Sequence, residues 1–160
     1  MKFGNKDFDE YWRIIMIPTY ALIGWSVLGL IISRVSFSLY LTIFSSLATW
    51  ILLMAVFAFI GWTVIKDHKL DVKIAAWSGA LSGAISGFVG SIIGILMFYL
   101  VPDVVEMALA QAAQAGANAA ALESFMVIGV YIGLITGPLF SGIIGAVIAA
   151  IAAVIAKKVK

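Results

Sequence analysis

The chain has 160 residues, of which 64% are hydrophobic and 11% charged, and its formal net charge is +2 at pH 7. Its mean hydropathy is +1.15, and soluble domains hold only roughly 45–50% apolar residues, so a water-soluble globule of this size is excluded. With no cysteine and a single histidine, His68, disulfides, thiolate metal sites, cysteine nucleophiles and His-based metal clusters are excluded too.

The fold class expected is an all-α integral membrane protein, a single four-span domain over residues 1–160. A spanning helix needs about 20 apolar residues to cross a hydrocarbon core near 30 Å thick. Four runs meet that length, at about 14–33, 39–65, 74–101 and 125–156. Between Ile14 and Val64 the only charged residue is Arg34, and residues 74–102 and 124–156 carry none. The runs are too long for strands and lack the alternation of a barrel.

The first run follows an acidic leader, Asp7, Asp9 and Glu10, and is longer than the apolar stretch of a cleavable signal. It is therefore expected to stay as a span. A tight turn at Arg34–Ser38 joins it to the second run, which carries hydroxyls at Thr42, Ser45, Ser46 and Thr49. Those positions fall at i, i+3, i+4 and i+7 on one helix face. Trp25 and Trp50 fall near mid-membrane, as packed or lipid-facing bulk or as a stacking surface for a ligand.

After the charged loop 66–73, the third run holds Gly79, Gly83 and Gly87 at a spacing of four, and a second pair, Gly90 and Gly94. Ser78, Ser82 and Ser86 repeat at the same spacing. Small residues on one face let helix backbones approach closely, which matters where lipid offers little competing hydrophobic drive. The hydroxyls either bond back to their own helices or line a narrow pathway.

Pro102 punctuates the chain after the third run, and Asp103 with Glu106 reads as a capping box. A short helix at about 104–115 is expected on the outer surface, closed by Gly116, with Asn118 capping the run into the fourth helix. That helix carries Gly129, Gly133, Gly137, Ser141 and Gly145 on one four-residue track. Pro138 interrupts its hydrogen-bond ladder, giving a kink or a break, with Thr136 and Ser141 as nearby hydroxyls.

Orientation follows from Lys and Arg in short loops. Lys2, Lys6, Arg13, Lys66, Lys69, Lys73, Lys157, Lys158 and Lys160 fall on one side, and only Arg34 on the other. Both termini are therefore expected in the cytoplasm, with the chain in a cytoplasmic-type membrane. Arg34 is expected to snorkel at the outer interface or to pair with Glu106 or Glu123.

No Asp or Glu occurs inside the four runs, and such carboxylates mark proton and sodium carriers. The expected role is a non-catalytic subunit or scaffold that associates through glycine-zipper faces, as a homo-oligomer or with other membrane subunits. Its packing residues are Gly79, Gly83, Gly87, Gly90, Gly94, Gly129, Gly133, Gly137, Ser141 and Gly145. The alternative is an oligomeric channel or facilitator for a small neutral or weakly charged solute. Thr42, Ser45, Thr49, Ser82, Ser86, Thr136 and Pro138 would line that pathway. The lipid bilayer is the expected surrounding; no cofactor, metal or nucleic acid is expected.

Overall fold

A computed structural model describes residues 2–3, 6–44, 47–114 and 119–159. It is a helical bundle with four helices long and apolar enough to cross a membrane. The elements are α1 (Phe8–Val35), α2 (Phe37–Phe44), α3 (Leu47–Lys66), α4 (Val72–Leu100), α5 (Pro102–Gln114) and α6 (Ala119–Lys158). Ahead of them, β1 (Lys2–Phe3) and β2 (Lys6–Asp7) form a two-residue antiparallel ladder.

Local chemistry sets the helix ends. α1 begins six residues before its apolar run, because Glu10 turns back to accept the Asp7 N–H at 3.2 Å. That carboxylate satisfies one of the donors a helix start leaves open. At α4 the Asp71 carboxylate accepts the Ile74 N–H at 2.8 Å. Asp71, in the charged loop, is therefore the helix cap. Asp71→Ala should lower the stability of the bundle by about 1 kcal/mol, measured by thermal unfolding in detergent.

The second apolar run is helical over Phe37–Phe44 and Leu47–Lys66, and the Thr49 hydroxyl donates to the Phe44 carbonyl at 2.8 Å.

The short helix after α4 starts at Pro102, earlier than expected. Proline's fixed φ suits a first helical position, so Asp103 lies in the first turn and not at the cap. The Asn118 cap and the Gly116 stop lie outside the described residues. Arg34, at the end of α1, donates to the carbonyl of Leu100, the last residue of α4, where a cation meets the negative helix end. α6 runs unbroken through Pro138, so of the kink and the break, the break does not occur.

Packing is uneven along the bundle. The core is made by Tyr11 and Ile15 of α1, Phe57, Ile60 and Val64 of α3, Ile74 and Ala75 of α4, and Ala149 and Ala153 of α6. These positions lie toward the end of the bundle that holds the α3–α4 loop and the C-terminal lysines. Lys66 donates to the Val159 carbonyl there and lies 5.7 Å from the Trp62 ring centroid. The outer surface is apolar, with Ile17 70%, Leu47 75% and Ile135 69% exposed. A soluble protein rarely exposes such continuous apolar area.

Candidate functional site

α4 and α6 approach closely through their glycines. A Cβ added at Gly79 would strike the Gly145 carbonyl, and one at Gly83 the Ser141 carbonyl. At Gly87 it would come within 2.8 Å of both the Gly137 oxygen and the Ser141 side chain. Gly61 of α3 meets the Ala149 carbonyl in the same way. Real side chains do not tolerate such approaches to backbone, so these positions hold three helices at backbone contact. Gly129, Gly133 and Gly94 have nothing within 4 Å of an added Cβ, and Gly90 has only the Ser26 oxygen at 3.9 Å.

Beside the α4–α6 contact, toward α1 and α3, the bundle is hollow. A cavity of about 310 Å³ is lined by Trp25 and Ser26 of α1, Thr49 and Leu53 of α3, Ser86, Gly90 and Ser91 of α4, and Gly137 and Ser141 of α6. A second of about 240 Å³ shares Trp25, Ser26, Thr49 and Gly90, and continues to Tyr40, Gly94 and Met97. The two together run from mid-bundle to the end that carries α2. Their described lining holds no charged side chain.

Hydrogen bonds fix the polarity of this space. Ser26 donates to the Leu22 carbonyl at 3.1 Å and Ser86 to the Gly83 carbonyl at 3.2 Å. The Ser91 hydroxyl lies 2.8 Å from the Gly87 carbonyl and 2.8 Å from the Gly133 carbonyl across the helix interface. Thr49 donates to Phe44 and accepts the Trp25 indole N–H at 3.3 Å. A hydroxyl has one hydrogen and two lone pairs. With their hydrogens held by carbonyls, Ser26, Ser86 and Ser91 keep lone pairs to offer, so the lining is rich in acceptors.

Below the floor, the column continues as buried hydroxyls. Thr19 and Ser82 lie 2.9 Å apart, oxygen to oxygen, and both are fully buried. One turn further, Ser78 is also fully buried, and its hydroxyl has no hydrogen-bond partner.

Of the residues expected on a pathway, Thr49 and Ser86 meet at the cavity, and Ser82 lies directly beneath it. Ser141, expected as a packing residue, lines it as well. Thr42 is exposed on α2 and donates to the Ser38 carbonyl. Thr136 donates back to Ile132 and lines neither cavity. Ser45 lies outside the described residues. Pro138 faces a groove on the outside of the α4–α6 pair.

Trp25, Ser26 and Ser91 are site residues that the reading of separate helix faces did not bring together. The mid-membrane position of Trp25 was the available signal. Trp50, the other mid-membrane indole, is 54% exposed on the outside. Among the described residues no group of three His, Cys, Asp or Glu could hold a metal ion. Comparison with family models, curated proteins and solved structures finds no match, so any reading of this cavity rests on its own residues.

Proposed function

We propose that the chain is a non-catalytic membrane facilitator for a small, neutral solute that donates hydrogen bonds. The observation that carries this reading is the uncharged, hydroxyl-lined cavity where α1, α3, α4 and α6 meet. Its volume lies at the lower end of the roughly 300–1,000 Å³ usual for ligand sites. Acceptor lone pairs inside a low-dielectric bundle favour a donor such as water, an alcohol or an amide. The Lys and Arg distribution favours termini and an α3–α4 loop in the cytoplasm, an orientation that would turn the α2 end of the cavity, and α5 with it, toward the outer side. The Thr19–Ser82 pair then closes the cytoplasmic end, and passage requires that bond to part.

The test is stopped-flow light scattering on proteoliposomes with water, urea and glycerol as permeants. Rates above those of protein-free vesicles for at least one permeant support the reading. Rates equal to protein-free vesicles for all three remove it.

A second reading, a membrane subunit that associates with its own copies or with other membrane proteins, is favoured by one observation. Gly129 and Gly133 present small residues on α6 with no neighbour within 4 Å of an added Cβ. The glycines of the tight α4–α6 contact are engaged within the chain and the Gly133 carbonyl accepts the Ser91 hydroxyl of α4, so the part of α6 beyond that bond, around Gly129, would be the surface for association.

A further inference from the structure

A hollow larger than either of those between the helices lies on the outside of the bundle. It is a groove of about 450 Å³ on the outside of the α4–α6 pair. Its floor exists because small residues meet there: Ala80 and Ala84 of α4 lie against Gly142 of α6, where an added Cβ would come within 3.2 Å of the Ala80 carbonyl. Larger side chains, Trp77 on one helix and Leu139 and Ile143 on the other, rise on either side of that floor. At one end stands Lys73, in the first turn of α4 and exposed.

We propose that this groove is a binding site for one anionic phospholipid of the leaflet on the side of the termini. An acyl chain lies on the alanine floor, and the headgroup phosphate meets Lys73. Three independent features support that occupant. The first is length. From Lys73 to Ala84 the groove follows α4 for roughly 16 Å at 1.5 Å per residue, and half of a 30 Å hydrocarbon core is about 15 Å. The groove therefore fits one leaflet and stops near the midplane, at Pro138.

The second is order along the helix. A lysine at the boundary, an indole one turn deeper and only apolar groups beyond it repeat the depth profile of a lipid: charged head, interface, tail. The third is charge. Asp71 is engaged on the Ile74 N–H. By sequence the same end carries Lys2, Lys6, Arg13, Lys66, Lys69, Lys157, Lys158 and Lys160 besides Lys73, against the acids Asp7, Asp9, Glu10, Asp67 and Asp71. The excess is positive, which selects an anionic headgroup over a zwitterionic one. Because the groove faces away from the hydroxyl cavity, this site does not depend on the solute reading.

The experiment is native mass spectrometry of the full chain, released from detergent loaded with equal amounts of phosphatidylglycerol and phosphatidylcholine. The expected result is a 17.1 kDa chain that retains one phosphatidylglycerol in preference to phosphatidylcholine. Lys73→Gln should lower the phosphatidylglycerol-bound fraction about fivefold, to the level of phosphatidylcholine. Lys73 is exposed, so that change leaves the bundle packing alone. Ala80→Leu fills the floor and should lower retention of both lipids. Equal retention of the two lipids by the unaltered chain overturns the proposal, as does retention unchanged in both variants. A dimer mass that Ala80→Leu abolishes would assign the groove to a second copy and overturn it equally.

Discussion

Gly83→Ile should destabilise the bundle by upwards of about 3 kcal/mol, because the new side chain must displace backbone and not a flexible neighbour. The added Cβ points at the Ser141 carbonyl and at Gly142. Neither atom can move unless α4 and α6 separate along their whole contact. Overpacking of an ordinary core is relieved by rotamer changes, and that route is closed where glycine faces main chain. For a chain of this length the unfolding midpoint in detergent should fall by at least roughly 6–12 °C. Gly133→Ile is the matched control, since nothing lies within 4 Å of an added Cβ there. It should leave the midpoint unchanged. If Gly133→Ile instead lowers the oligomer mass at an unchanged midpoint, the part of α6 around Gly129 is an association surface. A Gly83→Ile chain as stable as the parent would show that the α4–α6 contact does not hold the bundle together.

The second large effect concerns flux. Gly90 borders both cavities, and an added Cβ there meets only the Ser26 oxygen at 3.9 Å. Gly90→Leu therefore places four carbons in the neck of the hollow without striking backbone. A space of about 310 Å³ holds on the order of ten waters at ~30 Å³ each, and a leucine across its neck leaves no continuous file. Permeation in proteoliposomes should drop at least about tenfold if the cavity carries it. Leucine is also the better helix former, by close to 1 kcal/mol, so the folded bundle should persist and the loss cannot be blamed on unfolding. Unchanged permeation in a folded Gly90→Leu chain would separate the cavity from any transport.

The four long helices were legible because apolar length reports the solvent around a segment directly. Helix starts were missed because that signal does not reach them. Asp7, Glu10 and Asp71 lie outside the apolar runs, and their capping work depends on backbone geometry.

The glycine spacing gave a face but no partner. Gly79, Gly83 and Gly87 meet Gly137, Ser141 and Gly145, whereas Gly90 and Gly94, about one and two turns higher on α4, border a void. Spacing on a single helix cannot distinguish those outcomes, because they depend on where the other helices diverge. The cavity was visible only in fragments for the same reason. Thr49 and Ser86 were recognisable on their own helices, but Ser26 and Ser91 join them only once four helices converge.

α6 has a place in the bundle that bears on how the chain is made. Its carbonyls are the surfaces on which Gly61 of α3 and Gly79 and Gly83 of α4 rest, and it is the last of these helices in chain order. A ribosome delivering the chain in sequence inserts α3 and α4 before the helix on which both rest has been synthesised. Those helices must wait in the bilayer as loosely associated spans, with backbone-deep glycine faces open to lipid. Assembly therefore follows insertion instead of accompanying it. During that interval the waiting glycine faces are the part of the nascent chain most open to an assisting membrane factor, or to a wrong neighbour.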